Sequence, residues 1–176
     1  MNAEAILNLA RAEVRALVPY SSARMEATRA GVMLNANETP WANPGDTLDL
    51  NRYPEPQPAS LRSRLAALYG IAPEQVLIGR GSDQAIDLLV RAFCRAEHDA
   101  VVVCPPTFGM YAVCASVQGA RVIEVGLDKN FGIDVERISA ACNDEVKLVF
   151  ICSPNNPTGN CIPLPEVERL AAALSG

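Results

Sequence analysis

Val146-Lys147-Leu148-Val149-Phe150-Ile151-Cys152-Ser153-Pro154-Asn155-Asn156-Pro157-Thr158-Gly159 is an apolar run that ends abruptly in a loop of proline, asparagine and glycine. The run has the length and residue types of a buried strand. The breakers after it predict a rigid turn at the strand's carboxyl end. In open α/β sheets ligands bind outside the carboxyl ends of the strands, so this loop is both a fold marker and a site candidate.

Upstream the arrangement repeats. Ala100 to Cys104 reads as a strand stopped by Pro105-Pro106, Arg121 to Val125 as another, and Val76-Leu77-Ile78 as a short one. Between them, spacing predicts helices over 60–69 (closed by Gly70), 82–95 (apolar at Ile86, Leu89, Val90 and Phe93), 110–118 (closed by Gly119), 134–142 and 163–174. Short apolar strands alternating with helices define an α/β protein with a mainly parallel sheet and flanking helices. Ala3 to Leu17 carries Ile6, Leu9, Ala10, Val14 and Leu17 at helical spacing and predicts one amphipathic helix ended by Pro19. An irregular region then runs to about Pro58, with a strand candidate at Val32-Met33-Leu34 and a turn at Asn35-Ala36-Asn37. A loop of that length is functional or an arm toward a partner.

Composition narrows the function classes. The 176 residues can hold one domain with a real core. A net charge of −5, with no stripe of Lys or Arg, argues against nucleic acid or an anionic membrane as partner. No apolar run approaches the roughly 20 residues of a membrane span, and no basic-then-apolar N-terminal segment signals secretion. Cys94, Cys104, Cys114, Cys142, Cys152 and Cys161 form no CxxC pair, and His98 is the only histidine, so no zinc site is expected. The cysteines read as small buried hydrophobes of a reducing, cytoplasmic compartment.

Three strand-end loops carry candidate chemistry. Gly79-Arg80-Gly81-Ser82-Asp83 opens a helix, where free amides attract a phosphate; Ser82 and Asp83 simply capping that helix is the other reading. It is neither a Walker A loop nor a GxGxxG fingerprint. Arg80 beside it reads as a surface charge. Cys104-Pro105-Pro106-Thr107-Phe108-Gly109-Met110-Tyr111 places two aromatic rings after a strand, either to stack on a flat ligand or to fill the core. The Pro-flanked Asn156 offers a directional side-chain amide, and its bond to Pro157 is a candidate cis peptide. Together the loops describe a cleft for a planar phosphorylated ligand.

The ordered set LNANE (34–38), NRYPEPQP (51–58), GRGSDQAIDLLVRAF (79–93), CPPTFGMY (104–111) and CSPNNPTG (152–159) resembles the fold-type I pyridoxal-phosphate aminotransferases and, within them, the histidinol-phosphate aminotransferases. The resemblance implies an aspartate aminotransferase-like fold. It divides the chain into an N-terminal helix and arm (1–50) and the first part of the large cofactor-binding domain (51–176). It implies pyridoxal 5'-phosphate as cofactor, with its phosphate held by Gly81, Ser82 and Asp83, its ring covered by Phe108 and its phenolic oxygen bonded by Asn156. Tyr53 would reach the cofactor phosphate of a neighbouring subunit in a homodimer, and Tyr20 and Asn37 would lie near substrate. The implied reaction is ping-pong transamination between an amino-phosphate, histidinol phosphate, and 2-oxoglutarate, giving imidazole acetol phosphate and glutamate.

The Schiff-base lysine of that chemistry has no counterpart here, so no catalytic residue is assigned. Lys129 lies in a polar turn and Lys147 at the amino end of its strand, and neither sits in the family's Ser/Thr-rich lysine motif. The chain is expected to be the N-terminal portion of an aminotransferase, with open strand edges and without turnover alone. The alternatives are another aminotransferase of the superfamily, and a non-catalytic module that keeps the first half of the fold.

Overall fold

The strand β1 (Ala100–Val103) is buried along its whole length in the computed structural model, and everything that positions the site is built around it. The structure describes residues 3–18, 20, 32, 34, 36–48 and 50–175. Two compact units divide the chain: Met1–Leu17 with Arg80–Gly176, and Val18–Gly79.

In the first unit β1 lies between β2 (Arg121–Glu124) and β3 (Val146–Phe150), parallel to both. Ala100 pairs with Arg121 on one side and Val146 on the other, with a register shift between Ala100 and Val101 against β3. Side chains alternate across a strand, and β1 uses both faces. Val101 and Val103 pack with Ile86 and Val90 of α4 (Gly81–Phe93) and with Cys114 and Ala115 of α5 (Met110–Gln118). Val102 and Cys104 pack with Val135 and Ile138 of α6 (Val135–Ala141) and with Leu170 of α7 (Leu164–Ala173). The result is the expected helix–sheet–helix sandwich. The inward stripe of α4 is Ile86 and Val90, continued by the C-cap residue Cys94, whereas Leu89 is exposed. The outer edges of β2 and β3 have no partner strand among the described residues.

Two of these element ends are held by acidic side chains. Asp134 caps α6 by accepting from the Arg137 amide at 2.9 Å. Asp99, 1% exposed, accepts from the Arg95 amide at 2.7 Å and from the Arg95 Nε and Nη2 at 2.9 Å, and so joins the end of α4 to the start of β1. Gly119 closes α5 with φ 78°, and a Cβ there would stand 3.1 Å from the Cβ of Ala96. Gly119→Ala is therefore expected to cost about 1–2 kcal/mol from the left-handed backbone alone, seen as a lowered melting temperature.

Two predicted elements and the cysteine reading come out differently. The single N-terminal helix is two, α1 (Ala3–Leu9) and α2 (Ala12–Arg15). The break falls at Arg11, whose amide donates to Ala92 O at 2.9 Å and whose Nη1 donates to Arg91 O at 3.0 Å. That tertiary contact outweighs continuous helical bonding. Val76 to Ile78 is no strand: Val76 is extended (φ −110°, ψ 121°), but the Gln57 amide side chain takes both polar groups of Ile78, at 2.8 and 2.9 Å. The cysteines are free, but only Cys94, Cys104 and Cys114 are buried, and Cys161 is exposed. Burial pushes the Cys94 and Cys104 thiols up to about 11, which makes them inert. Pro19, Met33 and Asn35 lie outside the described residues.

The second unit contains α3 (Ala59–Tyr69), ended as expected by Gly70 with φ 67°, and a 3-10 turn at Pro73–Gln75. The Arg62 guanidinium ties them together, donating to Pro73 O at 2.6 Å and Val76 O at 3.1 Å. These bonds and those of Gln57 hold residues 57–78 together within the second unit.

Candidate active site

The sheet brings Phe108 and Asn156 to one edge, because each follows a parallel strand: Phe108 the middle strand β1 and Asn156 the neighbouring β3. Gly81, Ser82 and Asp83 form the first turn of α4, which packs against α5 and against the same core cluster that Phe108 touches.

Ser82 and Asp83 do not occupy the capping position of α4. The N-cap position is Arg80, with no side-chain cap, and Ser82 and Asp83 are already inside the helix. Gly81 has φ 77°, the left-handed conformation that turns the chain into the helix. Gln84 Oε1 accepts from the Arg80 amide at 2.6 Å, and the amides of the first turn form the positive end of the dipole of this 13-residue helix. Arg80 is exposed, as expected.

Phe108 is half-buried and stands edge-on to Tyr111, with centroids 5.6 Å apart and planes at 86°. Tyr111 in turn stacks on Phe150 at 4.7 Å and 9°. Burial, then hydrogen bonding with Cys152, pushes the Tyr111 phenol up to about 12. Tyr111 is thus a core platform, and Phe108 is the ring at its rim.

The loop after β3 is held by the residue next to Asn156, not by Asn156 itself. Asn155 is 5% exposed, whereas Asn156 is exposed. Asn155 Nδ2 donates to Pro106 O at 2.9 Å and to Thr158 Oγ1 at 2.6 Å, and its Oδ1 accepts from the Thr107 hydroxyl at 3.1 Å. Its backbone closes the loop, its amide donating to Asn160 O and its carbonyl accepting from the Gly159 amide, both at 2.7 Å. Asn156-Pro157 is cis, as expected, and so are Pro105-Pro106 and Ser153-Pro154. Asn155, Thr107 and Thr158 were not singled out by sequence. Two adjacent asparagines look alike there, and only burial separates the one facing in from the one facing out.

The remaining candidates belong to the second unit. Tyr20 is 86% exposed, Tyr53 is 61% exposed, and Asn37 adopts φ 52°. Glu38 organises this region: its carboxylate accepts from the Tyr53 amide at 2.7 Å and pairs with Arg52 Nη1 at 3.0 Å. The LNANE and NRYPE stretches are thereby joined through a buried acid.

Lys147 is excluded from the strand-end cleft by its position. It lies at the amino end of β3, where its Nζ donates to Asp144 O at 2.5 Å and stands 4.0 Å from Asp99 Oδ1. Lys129 is exposed in the Asp128 turn. Among the described residues no cluster of His, Cys, Asp and Glu can hold a metal ion, and no helix is long and apolar enough to cross a membrane.

The carboxyl edge of the parallel sheet thus carries a half-buried aromatic ring and an exposed asparagine amide, the position at which open α/β sheets bind ligands. The family model for aminotransferase class I and II matches residues 24–175, and the chain belongs to that family. It is 55% identical over 181 residues to the histidinol-phosphate aminotransferase of Xanthomonas axonopodis pv. citri (strain 306), covering 100% of this chain and 50% of the relative. Among solved structures, a Thermus thermophilus aspartate aminotransferase mutant superposes with a TM-score of 0.65 at 30% identity, over 69% of this chain and 36% of that one. The histidinol-phosphate aminotransferase of Sinorhizobium meliloti in complex with pyridoxal-5'-phosphate gives a TM-score of 0.62 at 29% identity, over 70% of this chain and 33% of that one. The chain spans about half the length of the curated relatives it matches.

Proposed function

We propose that this chain supplies the cofactor-binding half of a pyridoxal-phosphate aminotransferase that exchanges an amino group between histidinol phosphate and 2-oxoglutarate. The observation that carries the reading is the shared strand-end edge. There the Phe108 loop and the Asn156 loop are tied to each other by Asn155, while the first turn of α4 has no side-chain cap. The donor set fits the cofactor: first-turn amides of α4 for a phosphate, a half-buried ring for a pyridine face, and an exposed side-chain amide for a phenolic oxygen.

Pyridoxal 5'-phosphate, when bound, supplies the electron sink for the pair released as a substrate C–H proton leaves. The chain's own residues bind and orient. The amides of Gly81, Ser82 and Asp83 hold the phosphate dianion at the positive end of α4. Phe108 covers one ring face and keeps water from it. Asn156 donates from Nδ2 to the phenolic oxygen and fixes the ring's tilt. Tyr53 reaches the phosphate of a neighbouring subunit in a homodimer, and Tyr20 and Asn37 face the substrate. In the whole protein, residues 1–50 are an arm and residues 51–176 begin the large domain. Neither Lys129 nor Lys147 moves a proton at the site. The free cysteines support a reducing, cytoplasmic setting.

A hybrid joining this chain to the half of the Xanthomonas axonopodis relative that it does not span tests the reading. With cofactor, the hybrid is expected to form glutamate from 2-oxoglutarate with histidinol phosphate as the preferred donor. A folded hybrid that prefers another amino donor would move the assignment to a different member of the family, and one with no turnover for any donor would refute it.

A further inference from the structure

We propose that Asn155 is the positioning residue of this site: it locks the loop of Phe108 to the loop of Asn156 and acts on the cofactor through both. The inference rests on the cofactor reading above and deepens it.

Among the described residues, the Asn155 side chain bonds both loops, and every polar atom of its amide is used. The two Nδ2 hydrogens go to Pro106 O and Thr158 Oγ1, and Oδ1 takes the Thr107 hydroxyl. The pattern fixes the orientation of the amide, because a flip would turn Oδ1 toward the Pro106 carbonyl. Thr107 and Pro106 immediately precede Phe108, and Asn155 immediately precedes Asn156. The spacing between the ring at the rim and the outward amide is therefore set by bonds made one residue away from each. The network continues: the Thr158 hydroxyl donates to Asn160 Oδ1, and Asn160 Nδ2 donates to Phe131 O at 2.8 Å. The loop after β2 is thus tied to the same anchor. Satisfied buried networks of this kind rigidify what they hold, and a half-satisfied one is worse than none.

Both loops approach the cleft as irregular backbone, without a strand or helix to hold Phe108 or Asn156 in place. Orientation at a reacting centre is sensitive to shifts of about 1 Å, which cost about 100-fold in rate. A buried amide bridging the loops is the device that resists such a shift.

The test uses the hybrid with Asn155→Ala, the milder Thr107→Val (which removes one donor and leaves the rest), Asn156→Ala, and the double variant Asn155→Ala/Asn156→Ala. Hydrogen exchange of the apo protein needs no cofactor. Asn155→Ala, or Thr107→Val if the first variant does not fold, is expected to speed exchange in residues 104–110 and 152–162 together, by about 10-fold or more. In the loaded protein the same variant is expected to shift the pH midpoint of the cofactor's absorbance and lower kcat about 10- to 100-fold, with KM within about twofold. The absorbance shift is expected to shrink in the Asn156→Ala background, since Asn155 acts through that neighbour. A merely structural Asn155 would lower the melting temperature and leave the absorbance midpoint and kcat of the folded fraction unchanged, which overturns the proposal. Exchange confined to one loop overturns it as well. If the parent hybrid folds and binds no pyridoxal phosphate, the cofactor reading fails instead, and the exchange result alone decides whether Asn155 couples the loops.

Discussion

Val102→Asp leaves no folded protein. Val102 is 0% exposed in the middle of the central strand, packed beneath α6 and α7 with Val135, Ile138 and Leu170 around it. A carboxylate there finds no cation, because its surroundings are aliphatic. Burying an unpaired polar or charged group costs more than the few kcal/mol a domain has to spare. The expected readout in the hybrid is loss of soluble, protease-resistant protein. The same charge at Leu164, exposed in the first turn of α7, is expected to change stability by less than about 0.5 kcal/mol. Equal yields of the two variants would mean that β1 is not the centre of the core.

Asp99→Asn is expected to cost about 2–3 kcal/mol and to remove an acid-dependent part of the stability. Hydrogen bonding from Arg95 is the main cause that holds the Asp99 carboxyl below its ordinary value of 3.8, against the opposing effect of burial. A carboxyl whose value is lowered by folding stabilises the native state fully above its unfolded value, near pH 4, and loses that contribution as pH falls through the folded value. Denaturant midpoints measured from pH 7 downward should therefore fall more steeply below about pH 4 in the parent than in Asp99→Asn. Parallel curves would show that the ion pair at the α4–β1 junction is idle.

The two effects mark where sequence reading was strong and where it was not. Periodicity placed β1, β2, β3 and the helices between them within a residue or two, because buried strands and two-sided helices write their environment into residue type. The carboxyl-end location of Phe108 and Asn156 followed from strand order alone. What escaped was decided by partners distant in sequence. Arg11 breaks the first helix because Ala92 and Arg91, about 80 residues on, offer carbonyls to it. Val76 to Ile78 is no strand, and side chains from elsewhere take its polar groups: Gln57 bonds both those of Ile78, and Arg62 bonds the Val76 carbonyl. Asn155 and Glu38 were invisible as organisers for the same reason. Each stands beside a residue proposed for the site, Asn156 or Asn37, and its own contacts appear only when the buried side chain meets residues from another loop.

A crystal structure of the hybrid grown with pyridoxal 5'-phosphate tests the central claim most directly. Phosphate density is expected on the amides of Gly81 to Asp83, with the ring against Phe108 and its phenolic oxygen within hydrogen-bonding distance of Asn156 Nδ2. Cofactor density elsewhere, with the first turn of α4 facing only solvent, would contradict the account.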